Sequence, residues 1–224
     1  MYLNRIFNFI GYRFVNLALD FDNRHQYPKL EEARYKKEDP HEMKRVTYPL
    51  TTDSVVVDIG GLTGDFASRI YCRYSCTIDI YEPHPLLSKI AEMNFEGNPY
   101  VIVYPIGLSN KKDTMILYGD YWNASLYKND CGNKNEVRIE KASDVFVQYE
   151  HIDLLKLNVE GAEYDILTDL IANYDMRKID NIQIQFHQTV EGYSDKRDKI
   201  REGLSKTHTM DWCYDYIFEN WKLI

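Results

Sequence analysis

Asp58-Ile59-Gly60-Gly61-Leu62-Thr63-Gly64-Asp65-Phe66 sets three glycines within six residues after an acidic one. Glycines between a strand end and a helix start let the backbone turn tightly and come close to a ligand. The spacing is not the G-x-G-x-x-G that cradles a dinucleotide pyrophosphate, and no Lys-Ser/Thr pair of a triphosphate loop follows. Asp58 would repel a pyrophosphate and suits a ligand that carries positive charge. Glu82 ends the next apolar run. An acidic side chain at that position accepts hydrogen bonds from both hydroxyls of an adenosine ribose.

Asp58, the glycines and Glu82 therefore describe a nucleoside site without a phosphate. S-adenosylmethionine, with an ammonium, a sulfonium and no phosphate, fits that description. Further along, Asn158 and Glu160 straddle the end of a second apolar run, Gly161 allows the turn, and Glu163 opens a helix where a carboxylate favours the dipole. Glu160 faces substrate or cofactor in this reading, while Glu163 reads as a helix-start residue. His187 follows the run Ile182–Phe186. With an ordinary pKa near 6.5 it suits the part of a general base, and Glu160 competes for that role. Asn123, Ser125 and Tyr127, in a polar irregular insert, are candidates for an acceptor pocket on loop placement alone.

The elements that must position these residues are legible as alternating runs. Ser54–Ile59 is a continuous β-branched strand ending at glycines, as expected of a buried parallel sheet. Phe66–Tyr74 reads as helix, Thr77–Tyr81 as strand, Leu86–Phe95 as helix and Tyr100–Tyr104 as strand. After the insert come strand Ile152–Val159, helix Glu163–Asn173, strand Ile182–Phe186 and helix Ser194–Lys206. Two closing strands from Met210 to Ile224 flank Glu219-Asn220. This alternation predicts an α/β, doubly wound, Rossmann-like sheet, mostly parallel, with helices on both faces. Residues 1–52 stand apart as an amphipathic helix over 2–19 followed by a charged, proline-punctuated linker or lid; residues 53–224 form the main domain. The N-terminal helix reads as a packing or dimer-contact helix, or as a weak attachment to a membrane surface.

At 224 residues and 44% hydrophobic, the chain has material for one sizeable core. A net charge of −8 argues against a protein that grips nucleic-acid backbones. No run is long and apolar enough to span a membrane. Four scattered cysteines with no export signal before them predict reduced thiols and a cytoplasmic protein. Cys72 and Cys76 lack a second ligand pair for zinc, so no metal site is expected from them.

Four segments, taken in order, resemble the successive motifs of FkbM-type methyltransferases. They are Val57–Gly64, Tyr81-Glu82-Pro83-His84-Pro85, Gly107-Leu108-Ser109-Asn110 and Leu155–Glu163 with its Lys-x-x-Val-Glu-Gly-x-Glu core. The resemblance covers residue 53 onward. It implies a seven-stranded class I fold and an S-adenosylmethionine-dependent O-methyltransferase, yielding S-adenosylhomocysteine. The acceptor it implies is a sugar hydroxyl in a polysaccharide, glycolipid or natural product. It also adds Phe66, Pro83, Ser109 and Asn158 to the cofactor-binding set of Asp58, Gly60, Gly61, Gly64 and Glu82. The family usually has Asp where this chain has Asn158; a neutral amide oxygen weakens a metal-dependent reading and leaves methyl transfer intact.

Rival readings are distinguishable. A nucleic-acid methyltransferase is suggested only by Asn98-Pro99-Tyr100, placed before the third strand rather than after the fourth. A nicotinamide dehydrogenase is disfavoured by the glycine spacing. A non-catalytic module that keeps the fold is motivated by Asn158 and opposed by Asp58, Gly60, Gly64 and Glu82.

Overall fold

The computed structural model describes residues 29–118 and 134–224. The helix expected over 2–19, and Asn123, Ser125 and Tyr127, lie outside the described residues. A seven-stranded sheet organises the chain. Its members in chain order are β1 (Val55–Ile59), β2 (Thr77–Tyr81), β3 (Val101–Tyr104), β7 (Ile152–Leu157), β8 (Ile179–Ile184), β9 (His208–Tyr214) and β10 (Phe218–Leu223). They lie side by side as β3-β2-β1-β7-β8-β10-β9. The first five are parallel, and β10 runs antiparallel between β8 and β9.

The chain winds outward from β1 to β3, then returns to the other side of β1 through β7. In such sheets the crevice beyond the carboxyl ends at this reversal is where ligands bind. The loops that fill it here are the glycine loop after β1 and the Asn158–Gly161 turn after β7.

Continuous apolar runs make these strands because both faces are covered. On one face Val57, Ile59, Leu155, Leu157, Ile182 and Ile184 pack with α4 (Ala142–Phe146), α5 (Glu163–Asn173) and α6 (Tyr193–Leu204). On the other, Val56, Ile78, Ile80 and Leu154 pack with α2 (Asp65–Tyr74), which buries Phe66, Ala67 and Ile70 at helical spacing. The next helix, α3 (Pro85–Asn94), starts with Pro at its first turn and with the His84 ring accepting from the Leu86 amide. Residues 29–38 form α1, whose Tyr35 packs against Tyr214 and Phe218. Val46, Tyr48 and Leu50, in the segment between α1 and β1, are buried in the α2-side core.

The stretch before β7, expected to be irregular, contains a second sheet. It is built from β4 (Gly107–Ser109), β5 (Asp113–Tyr118) and β6 (Lys134–Lys141), in the order β4-β6-β5. Its residues looked like loop because only one face is covered. In β6 only Val137 and Ile139 are buried among charged neighbours. The tail also corrects an expectation: the turn falls between Tyr214 and Phe218, and Glu219 and Asn220 lie inside β10. Both are buried yet satisfied. Glu219 pairs with Arg201 and accepts from Trp221 Nε1, and Asn220 accepts from the Tyr48 hydroxyl. Cys72, Cys76 and Cys213 carry free thiols.

Candidate functional site

Asp58 closes β1 with its side chain fully buried. Burial of a carboxylate is tolerated only with a partner, and the partner is Lys156 on β7, in register with Asp58 across the sheet. Lys156 Nζ lies 2.7 Å from Asp58 Oδ1 and donates to the Gly60 carbonyl at 2.8 Å. Burial pulls the Lys156 ammonium below its ordinary pKa, and the Asp58 charge works against that pull. The register continues through Lys156 to Gln183 on β8 and Gln183 to Asn220 on β10. A row of four polar side chains thus crosses the sheet beneath the segment before β1. Gln183 Nε2 donates to the Arg45 carbonyl at 2.9 Å and to the Tyr48 hydroxyl at 2.7 Å. Lys156 lies in the Leu155–Glu163 motif, and its pairing with Asp58 of another motif comes from the strand register alone. The available signal was a lysine between two leucines in a run otherwise fit for a sheet centre.

Gly60 has φ +77°, and a Cβ there would stand 2.0 Å from the Asn158 carbonyl oxygen. The glycine is thus required for the protein's own close packing: it lets the loop after β1 lie directly on the turn after β7. Two non-glycine residues adopt the same left-handed region in these loops, Leu62 at φ 51° and Glu160 at φ 52°. Such strain costs of order 1–3 kcal/mol per residue and persists where surrounding contacts fix it. At Leu62 that contact is its amide, which donates to Glu82 Oε2 at 3.0 Å.

Glu82, at the end of β2, also takes the His84 amide on Oε1 at 2.8 Å. Burial pushes its carboxyl up to about 7, opposed by those two amides and by Lys156. Each oxygen has two lone pairs and takes one amide; Glu82 itself is buried and is not among the residues lining the cleft.

A cleft of about 240 Å³ opens over the glycine loop, lined among others by Gly60, Gly61, Phe66, Asn158, Arg45 and Arg69. Two buried acceptors at the loop have no partner: Asn158 Oδ1, in the lining, and Asp58 Oδ2, beside Gly61. Gly64 caps α2 at φ +89°. Pro83 follows Glu82 and is half-buried. Ser109 is not on the cleft walls; it is buried in β4, in register with Lys141.

After β8, His187 is held between two carboxylates. Its Nε2 lies 3.2 Å from Glu160 and its Nδ1 3.3 Å from Glu163. Glu163 also accepts the His187 amide at 2.7 Å and the Gly161 amide at 2.9 Å. So Glu163 ties the turn after β7 to the turn after β8, a larger role than starting a helix. Burial alone would lower the imidazole, but hydrogen bonds to Glu160 and Glu163 outweigh it and lift His187 to about 9. This corrects the expectation of an ordinary pKa near 6.5: at neutral pH the ring is charged and both nitrogens are engaged. A group raised in the folded state stabilises below its unfolded pKa and loses that stabilisation as pH rises through its folded pKa. Wild-type protein should therefore lose about 3 kcal/mol between pH 6.5 and 9 in denaturant unfolding, and His187→Gln should lack that loss. A His187→Gln profile as steep as wild type would contradict the pairing.

Five parallel strands with an antiparallel β10 inserted between β8 and β9 form the class I methyltransferase fold, whose members depend on S-adenosylmethionine. The chain belongs to the FkbM family: the methyltransferase FkbM domain matches residues 58–209. Among solved structures, a putative rRNA-methylase from Clostridium thermocellum aligns with TM-score 0.52 and 8% identity, over 84% of this chain and 96% of that one. The fibrillarin pre-rRNA processing protein of Methanococcus jannaschii aligns with TM-score 0.49 and 10% identity, over 79% and 69%. Aeropyrum pernix fibrillarin, in complex with natively bound S-adenosyl-L-methionine, gives 0.44 and 8%, over 78% and 67%. At 8% identity the likeness to the first of these is one of fold alone. Comparison with curated protein sequences gives no match. Among the described residues no helix is long and apolar enough to cross a membrane.

Proposed function

We propose that the chain is an O-methyltransferase that methylates a hydroxyl of a sugar or glycoconjugate. The supporting observation is the Glu160–His187–Glu163 array, whose Glu160 lies on the same turn after β7 as Asn158, the residue on which Gly60 packs. Bound across the loop, S-adenosylmethionine supplies an electrophilic methyl group on a sulfonium. The unpartnered acceptors Asn158 Oδ1 and Asp58 Oδ2 suit its donors and positive charge. Glu82 receives the ribose hydroxyls on its two remaining lone pairs, while the loop from Gly60 through Gly61 to Gly64, with Phe66 and Pro83 around it, shapes the pocket.

At the acceptor side, Glu160 is the more exposed carboxylate of the array, with 29% of its side chain accessible against none for Glu163. An acceptor oxygen gaining a carbon makes its own proton strongly acidic, so a carboxylate is base enough. Glu160 takes that proton; His187, as an imidazolium, holds the Glu160 carboxylate in place and is a positioning residue. The sugar class rests on the family resemblance, and the net charge of −8 counts against a polyanionic acceptor such as RNA. A panel of nucleotide sugars and short glycans, with S-adenosylhomocysteine release as readout, tests the reading. Turnover of a sugar hydroxyl, lowered roughly 100-fold in Glu160→Gln with cofactor binding unchanged, is expected. Methylation of RNA or protein, with none of sugars, would overturn it.

Glu82 makes cofactor affinity pH-dependent. The ionised carboxylate is the better acceptor for two hydroxyls, so affinity for S-adenosylhomocysteine should fall as pH drops below about 7 and level off above it. Glu82→Gln should flatten that profile in titration calorimetry. A wild-type profile already flat from pH 5.5 to 8 would count against Glu82 as the ribose acceptor.

A further inference from the structure

Part of the cleft lining comes from residues that precede the family match, Glu42 and Arg45. The Arg45 side chain is only 13% exposed. Its Nε donates to Gln183 Oε1 at 3.1 Å, its Nη1 pairs with Glu42 at 2.8 Å, and its guanidinium carbon sits 3.8 Å from the centre of the Phe218 ring. At least two of its five N–H groups are thus used, and the plane of the guanidinium is fixed before any ligand arrives. Such a fixed fork suits a carboxylate.

The charges around the cleft balance. Lys156 is matched by Asp58, and the carboxylates of Glu42 and Asp65 are matched in number by Arg45 and Arg69. Glu42 itself is shared between both arginines. A purely anionic or purely cationic ligand would upset that balance. The acceptors without donors, Asn158 Oδ1 and Asp58 Oδ2, still call for N–H groups. A ligand end with an ammonium and a carboxylate on one carbon meets both demands at once.

Building on the methyltransferase reading, we propose that the amino-acid end of the cofactor is clamped as a zwitterion, its carboxylate on Arg45 and its ammonium on Asn158 Oδ1. The segment between α1 and β1 thereby completes a site whose other parts lie within the family domain. Arg69, with 39% of its side chain exposed and its fork turned to the His41 and Glu42 carbonyls, serves to hold that segment.

The test compares three ligands by calorimetry on the full chain: S-adenosylhomocysteine, its decarboxylated analogue, and 5′-methylthioadenosine, which lacks the amino-acid end. Wild type should bind the decarboxylated analogue roughly 10- to 100-fold more weakly than S-adenosylhomocysteine. Arg45→Gln should weaken S-adenosylhomocysteine by a similar factor and leave 5′-methylthioadenosine within twofold of wild type, with Arg45→Lys between. Equal wild-type affinity for the carboxylated and decarboxylated ligands overturns the clamp without recourse to any variant. An Arg45→Gln loss shared by all three ligands likewise overturns it, as a general effect on the fold. If wild type binds none of them, it is the methyltransferase site that fails.

Discussion

Lys156→Met should lower the stability of the protein by about 3–5 kcal/mol, the usual consequence of leaving a buried charge without its partner. Asp58 is fully buried, its Oδ2 has no donor, and Oδ1 depends on Lys156 alone. The same substitution removes the donor to the Gly60 carbonyl. Against a typical total of about 5–15 kcal/mol this is a large fraction, and denaturant unfolding will register it as a lower midpoint. The double variant Asp58→Asn/Lys156→Met should regain most of the loss, because no charge then remains to be stranded. A single variant as stable as wild type, or a double variant no better than the single, would mean that the pair does not hold these strand ends together.

Gly60→Ala should abolish cofactor binding, with an affinity loss of at least about 100-fold, or lower stability by roughly 3 kcal/mol or more. A Cβ at this position meets a backbone oxygen 2.0 Å away, with no flexible side chain to give way. Either the loop after β1 lifts from the turn after β7, which dismantles the cleft, or the sheet edge deforms. Gly97→Ala is the control. Its φ is +79°, almost the same, but nothing lies within 4 Å of the added methyl. It should cost only the left-handed penalty of about 1–2 kcal/mol and leave binding of S-adenosylhomocysteine intact. If the two variants behave alike, the close packing of the two turns is not what positions the site.

These two residues show which parts of the site were legible beforehand. The glycine loop, Glu82 and Glu160 could be placed at strand ends because each follows a continuous apolar run, and the end of such a run is a strand end. Parallel order then brings strand ends to one edge. Pairings across the sheet were not legible. Lys156, Gln183 and Asn220 lie far apart in sequence, and only register shows that they continue the row begun by Asp58. The same blindness placed a turn at Glu219-Asn220, where polar residues are buried but paired. The position of His187 after a strand was legible but its charge was not, because its two carboxylate neighbours come from the turn after the preceding strand and the helix that follows it. The smaller sheet was missed because strands with one open face carry too few apolar residues to stand out.

The loop from Gly60 to Gly64, Glu82 and Asn158 are proposed as the cofactor site of a methyltransferase. Titration calorimetry of S-adenosylhomocysteine into wild type and Glu82→Ala at pH 8, where Glu82 is mostly ionised, tests it most directly. One molecule should bind per chain, and Glu82→Ala should weaken it roughly 10- to 100-fold through the loss of two hydrogen bonds to a charged acceptor. No binding by wild type, or equal binding by the variant, would contradict the account.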